Sequence, residues 1–309
     1  MASAALAQTV IIGHKWSDSA GWYDAKTGKQ LAVVPVGVRP HEMVWSADHK
    51  FAYVTNYGLN TWTQTEPGGN TISVLDAAGR REVAKIDLGE NHRPHGIERG
   101  HRTGRLFLTV DLPASVLIVD PVKRAVAGRV AVEQKAPHML AVTRNESRAY
   151  TANAGSASVS MVPLDGKGKP VAIDVGGVPM GVELTSDERM VWATTRSGNQ
   201  LVGIDTRTNQ VVHRIDVKGE PARLRILRND SLLLTSLIGS GELAVIDLKT
   251  RKEIRRLPVG KAAEGMLVSG QYLYISAQGD NKVVKFDMNT WTRVLEIPTA
   301  DRPDPILEF

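Results

Sequence analysis

The chain has no cysteine among its 309 residues. A disulfide framework, a thiolate metal site and a cysteine nucleophile are therefore excluded. No stretch approaches the roughly 18 consecutive apolar residues that a spanning helix needs. No run of five or six like charges occurs, so a nucleic-acid patch is not signalled by the modest formal charge of +5. A sequence pI near 9.4 is the sole support for nucleic-acid binding, and no basic groove with interleaved aromatics accompanies it. Also missing are a G-x-S-x-G nucleophile elbow, a phosphate-cradling glycine loop and an H-E-x-x-H helix. No helical periodicity is sustained anywhere.

What is present is a repeat. An Asp follows a short apolar strand at Asp24, Asp76, Asp120, Asp205, Asp247 and Asp287, and Pro163 stands at the seventh equivalent place. The spacing is about 40–44 residues, apart from a first interval of about 52, and such a period with four strands per unit marks a β-propeller. Hydrophobic residues at 42% and 28 glycines suit many short strands joined by tight turns. Each unit closes on an outer strand, expected at 31–36, 83–88, 127–132, 171–175, 211–217, 254–259 and 294–297. A proline lead-in follows, as in Arg39-Pro40-His41, Arg93-Pro94-His95 and Ala136-Pro137-His138. The first strand, from Thr9, is of the second type in a unit. The last, Pro303-Asp304-Pro305-Ile306-Leu307, is of the innermost type. The C-terminal strand therefore completes the first blade, and closure of the ring leaves only short, protected edges. The expected fold is all-β: one seven-bladed propeller of four-stranded antiparallel blades over 9–309, preceded by a tail at 1–8.

Tyr53-Val54-Thr55-Asn56, followed by Asn70-Thr71-Ile72-Ser73-Val74-Leu75-Asp76 and Arg93-Pro94-His95-Gly96-Ile97, resembles the YVTN-type seven-bladed propeller repeat. Degenerate copies run from Thr9 to Phe309, and the fourth unit carries Tyr150-Thr151-Ala152-Asn153. The resemblance implies the fold and very little about function, because one fold hosts many activities.

The chemistry lies in the residue after each lead-in proline. Around the ring it reads His41, His95, His138, Met180, Ala222, Glu264 and Asp304, with Ala263 standing in place of the proline before Glu264. Inner strands line the central channel, so their starts converge at one mouth. Circular closure puts Glu264, Asp304 and the three histidines on one continuous arc, opposite Met180 and Ala222. Neutral imidazoles and a carboxylate are ligands for a divalent transition metal, with Zn, Cu, Ni, Fe and Mn all compatible. His41, His95 and His138 are the expected ligands. Glu264 and Asp304 are the expected further ligand or general base. The long loop after Asn56 accounts for the long first interval and is expected to overhang this mouth with Tyr57, Trp62 or Glu66. His14, Trp16, Asp18, Asp111 and Asn153 are placed on the same face, and Glu42 and Glu98 are candidates for supporting groups.

The remaining repeated features read as structural. The Asp residues fit turns bonded to backbone. Tyr53, Tyr150, Trp192 and Tyr274 fit packing between blades, and His49, His101 and His213 fit the surface. Ala5-Leu6-Ala7 matches the end of a secretory signal, so a periplasmic or secreted protein is expected. The functional expectation is a metal-dependent hydrolase or lyase acting on a small molecule. The alternative is a non-catalytic propeller that binds protein partners on its loop face.

Overall fold

A computed structural model describes residues 8–227 and 229–309. The signal-like Ala5-Leu6-Ala7 lies outside the described residues. Seven four-stranded antiparallel sheets form the blades, and the one helical element described is the three-residue 3-10 turn Gln278–Asp280. None of the described helices is long and apolar enough to cross a membrane.

The seven inner strands are Pro303–Glu308 in blade 1, then Pro40–Trp45, His92–Arg99, Pro137–Val142, Pro179–Leu184, Pro221–Leu227 and Ala263–Ser269 in blades 2 to 7. Each packs on the next, and Ala263–Ser269 returns to Pro303–Glu308, so the circle closes. Closure is made as the sequence predicts: Pro303–Glu308 pairs antiparallel with Thr9–His14, Ile11 opposite Leu307 and Ile12 opposite Ile306. The outer strands fall within a residue or two of expectation, for example Gln30–Pro35 and Arg81–Asp87.

The apolar core is divided between the blade interfaces. The described residues form seven buried clusters, one for each contact between neighbouring blades. Trp22 of blade 1 meets Val54 and Leu75 of blade 2, and Tyr23 meets Tyr274 across the closing seam with blade 7. Tyr53, Tyr150, Trp192 and Tyr274 are all buried in this way, as their repeated positions imply. Both faces of each blade are covered, which is why the strands alternate only loosely between apolar and polar residues.

One local irregularity recurs in every blade and sets up the channel. Pro40 pairs with Asn56 and Met43 with Val54, so His41 and Glu42 together face the single residue Thr55. The same two-against-one bulge holds His95 and Gly96, His138 and Met139, Met180 and Gly181, Ala222 and Arg223, Glu264 and Gly265, and Asp304 and Pro305. A bulge leaves one backbone N–H unpaired and re-aims the side chain beside it. In most blades a hydroxyl takes up that N–H. Thr55 Oγ1 accepts from Glu42 N at 3.1 Å, Thr109 from Gly96 at 3.0 Å and Thr194 from Gly181 at 2.8 Å. The same hydroxyls donate to the ring residue of the next blade: Thr55 to the His95 carbonyl at 2.8 Å, Thr109 to His138 at 2.7 Å and Thr194 to Ala222 at 2.8 Å. A belt of Thr and Ser hydroxyls thus stitches successive bulges together behind the ring.

Candidate metal centre

The bulges bring the three histidines into one cluster. His41, His95 and His138 each offer a nitrogen, and these atoms lie within 4.8 Å of one another. The ring centroids of His41 and His95 are 3.8 Å apart, and those of His95 and His138 are 3.7 Å apart. All three are buried, at 3–5% exposure. His138 Nδ1 donates to the Met180 carbonyl at 3.0 Å, which leaves its Nε2 free of a proton. His41 stacks on Tyr57 with centroids 5.3 Å apart, and its Nε2 accepts from Lys15 Nζ at 3.2 Å.

Burial holds all three imidazoles well below their ordinary pKa, and neighbouring charge adds to it: Lys15 and Arg223 beside His41, His138 and His41 beside His95, Arg223 beside His138. They are neutral at pH 7, the protonation state a metal ligand needs.

The two predicted acids take different stations. Glu264 is buried at 6% exposure and lines the same cavity as the histidines, a space of about 220 Å³. Asp304 is fully buried, with Oδ2 3.9 Å from His41 Nδ1 and 3.7 Å from Lys15 Nζ. Burial, reinforced by the charge of Glu264, pushes its carboxyl up to about 8. Both of its oxygens lack a hydrogen-bond partner, as do His41 Nδ1, His95 Nδ1, Arg223 Nη1 and Gln278 Nε2. Half of the twelve orphaned buried side-chain atoms of the described residues therefore gather at this one mouth. Buried polar atoms are rarely left unpaired, and each such exception calls for a missing partner. The imidazole nitrogens and the Asp304 carboxyl oxygens are ligand types that suit a divalent cation once they are free of protons.

Arg223 was not legible as a site residue. It occupies the second bulge position of blade 6, at 3% exposure, and crosses the channel to a short ion pair with Glu42 of blade 2. Glu42, Asp304 and Glu264 raise its pKa against the opposing effect of burial. At the same position Gly96 and Gly181 carry no side chain, because a Cβ there would stand 2.8 Å and 2.7 Å from the carbonyls of His138 and Ala222. An arginine and a glutamate among such glycines are the signal that was available. Lys15 is the second unforeseen residue.

The long loop after Asn56 does overhang the mouth. Tyr57, Asn60, Thr61 and Trp62 line the cavity. Arg93 fastens its base, donating from Nε to the Glu66 carbonyl at 3.1 Å and from its backbone N–H to the Gly69 carbonyl at 2.7 Å. Tyr57 donates to Asp111 at 2.7 Å, and burial pushes that carboxyl up to about 6.

Several expectations are corrected. His14 turns into blade 1, bonding Ser19 and Tyr23 at 2.9 Å each, while Lys15 and Trp16 face the cavity in its place. Glu66 serves through its carbonyl rather than its carboxylate. Asn153 bonds Ser158 and Ser160 inside blade 4. Glu98 stands three residues beyond His95 and lines cavities with His101, away from the histidines, because the bulge directs only the first residues of each strand toward this mouth. His213 is half-buried and stacked on Trp192 rather than fully solvated.

No protein-family model and no curated protein sequence matches the chain. Solved structures do. Hydrazine synthase of Kuenenia stuttgartiensis is 17% identical, with a TM-score of 0.77 over 90% of this chain and 92% of that one. The periplasmic gluconolactonase PpgL of Pseudomonas aeruginosa is 13% identical, with a TM-score of 0.75 over 97% and 99%. A functionally unknown protein of Desulfotomaculum acetoxidans is 12% identical, with a TM-score of 0.78 over 97% and 98%. At these identities the likeness is one of fold: the chain is a seven-bladed β-propeller with a buried tri-histidine cluster at one channel mouth.

Proposed function

We propose that this mouth is a metal-dependent active site for hydrolysis or elimination on a small molecule, with His41, His95 and His138 holding a divalent transition metal. The observation that carries the reading is the co-location of three neutral, buried imidazoles with an orphaned, fully buried carboxyl group. A divalent ion there supplies Lewis-acid chemistry. The donor set suits Zn, Cu, Ni, Fe and Mn alike.

The chain's own residues divide the remaining work. Met180 orients His138 through its carbonyl. Tyr57, stacked on His41, shields the cluster from water. Glu264, on the cavity wall, takes and returns the proton as general base and acid. Asp304, beside His41 Nδ1, serves as a further ligand or holds His41 in register. The kinship with YVTN repeats and an extracytoplasmic site of action, periplasmic or secreted, belong to the same proposal. The Ala5-Leu6-Ala7 motif supports that location, as does the likeness to a periplasmic gluconolactonase.

A non-catalytic binding propeller is the second reading. It is favoured by the bond from Lys15 Nζ to His41 Nε2, which an incoming cation has to displace. Metal analysis after reconstitution at neutral pH decides between the two. The expected result is one ion per chain, absent from the His41→Ala, His95→Ala double variant. A metal-free protein after reconstitution moves the assignment to the binding propeller.

A further inference from the structure

The cavity over the histidines has a composition that selects a ligand. It is small: about 220 Å³ is below the 300–1,000 Å³ of sites that enclose drug-sized ligands, so peptides and nucleotides do not fit inside. Among the described residues three cationic side chains line it, Lys15, Arg196 and Arg302, against one acid, Glu264. Two of the cations face acidic side chains: Lys15 lies 3.7 Å from the Asp304 carboxyl group and Arg196 bonds Glu220 at 2.9 Å. Arg302 makes no ion pair among the described residues.

Arg302 is also held ready. Its backbone N–H donates to Asn281 at 3.0 Å, its carbonyl accepts from Lys15 N at 2.9 Å, and its guanidinium lies 4.5 Å over the Trp16 ring. A guanidinium held over an aromatic ring, with no acid bound to it, still has N–H donors to offer, and their fork matches a carboxylate. Trp62 and Tyr57 line the same cavity and add flat apolar wall to it.

We infer that the cavity takes a small organic anion, a carboxylate joined to a flat ring, with Arg302 as the residue that recognises the charge. The inference deepens the active-site reading and rests on it for the identity of the site as one that binds a small molecule. Its recognition element is the protein wall, so it is measured without metal. Trp16 and Trp62 provide an internal fluorescence signal.

The experiment uses the chelator-stripped full chain and three probes of one shape: benzoate, neutral benzamide and cationic benzylammonium. Benzoate is expected to bind saturably by tryptophan quenching and calorimetry, with benzamide at least about tenfold weaker and benzylammonium weaker still. Arg302→Gln is expected to weaken benzoate about tenfold, and Glu264→Gln to tighten it by about threefold, since removing the one acid of the wall lifts a repulsion. The two variants shift affinity in opposite directions, so a folding defect cannot imitate the pair. Added salt should weaken benzoate binding. Equal affinity for benzoate and benzamide, preference for benzylammonium, or an unchanged affinity in Arg302→Gln overturns the inference. Benzoate binding that requires added zinc also overturns it, while supporting the metal. Benzoate binding in a protein that takes up no metal sustains the anion site and sinks the metal-dependent mechanism.

Discussion

The repeat supplies two rings of ionisable residues, and they behave in opposite ways. The outer ring is the Asp that ends the third strand of six blades. Each spends its carboxylate on nearby backbone: Asp24 accepts from Thr27 N at 2.7 Å, Asp205 from Arg207 N at 2.8 Å and Asp247 from Thr250 N at 2.7 Å. Those bonds hold these carboxyls below the usual range. The inner ring is buried, His41, His95 and Asp304 in it carry orphaned polar atoms, and burial drives those three groups toward their neutral forms. Both rings repeat with the same period. Repetition therefore does not separate a turn from a site, whereas the count of satisfied hydrogen bonds does.

The comparison breaks or sharpens at five places, the largest effect first. Removing Arg223 leaves Glu42, with a side chain 15% exposed, as a largely desolvated, unpaired charge, so Arg223→Ala should cost about 3 kcal/mol in urea unfolding. Should it cost less than about 1 kcal/mol, the channel is wetter than its burial implies. His95→Ala should lower metal affinity at least about 100-fold by calorimetry, with little change in the stability of the metal-free chain, because its Nδ1 makes no bond to lose. A large loss of stability together with unaltered metal binding would reassign the inner ring to the scaffold.

A third test lies beyond the bulges. Burial, with the charge of Glu183 nearby, pushes Glu98 up to about 7, against the hydrogen bond from Val142 N and the attraction of Arg225. Between about pH 4.5 and 7 the unfolded chain has released a proton that the folded chain retains, so this residue makes stability fall as pH rises through that window. Glu98→Gln should flatten the slope by an amount on the order of 2 kcal/mol across the window, after allowing for the partial exposure of the side chain. An identical slope in the variant would show that the carboxyl titrates normally. Fourth, Thr109→Val keeps the shape of the side chain but removes the hydroxyl that joins Gly96 N to the His138 carbonyl. The expected loss is about 1–2 kcal/mol, read from thermal unfolding, along with a loosened metal site. Last, Asp247→Ala should produce a small fall in Tm and no change in metal content, since its partners are local and solvated.

The ring, its closure and the arc of histidines were legible because each follows from the period alone. Identical spacing puts His41, His95 and His138 at identical places on adjacent inner strands, and a closed circle turns distance along the chain into proximity. The bulge was not legible. Pro-His-Glu and Pro-His-Gly give no sign that two residues will face one, yet that register shift is what directs the imidazoles inward. His14 shows the limit from the other side: it ends a strand at the correct face, but Ser19 and Tyr23 draw its ring into the blade. Arg223 was hidden because it stands one place beyond the ring residue of its blade, and its partner lies across the channel. Its role depends on Glu42, 181 positions away in the chain, a pairing that only the closed ring creates.

The strand that locks the circle also delivers Arg302 and Asp304 to the mouth, and this couples assembly to chemistry. A chain that has emerged from the ribosome only as far as residue 297 already holds all three histidines, yet has neither the last wall of the cavity nor its deepest acid. Pairing of Pro303–Glu308 with Thr9–His14 joins segments almost 300 residues apart, the kind of long-range contact that forms late in folding. Competence at the mouth is thus expected to appear abruptly, with the final zippering of the seam, and a nascent or frayed ring would hold the histidines without the full pocket.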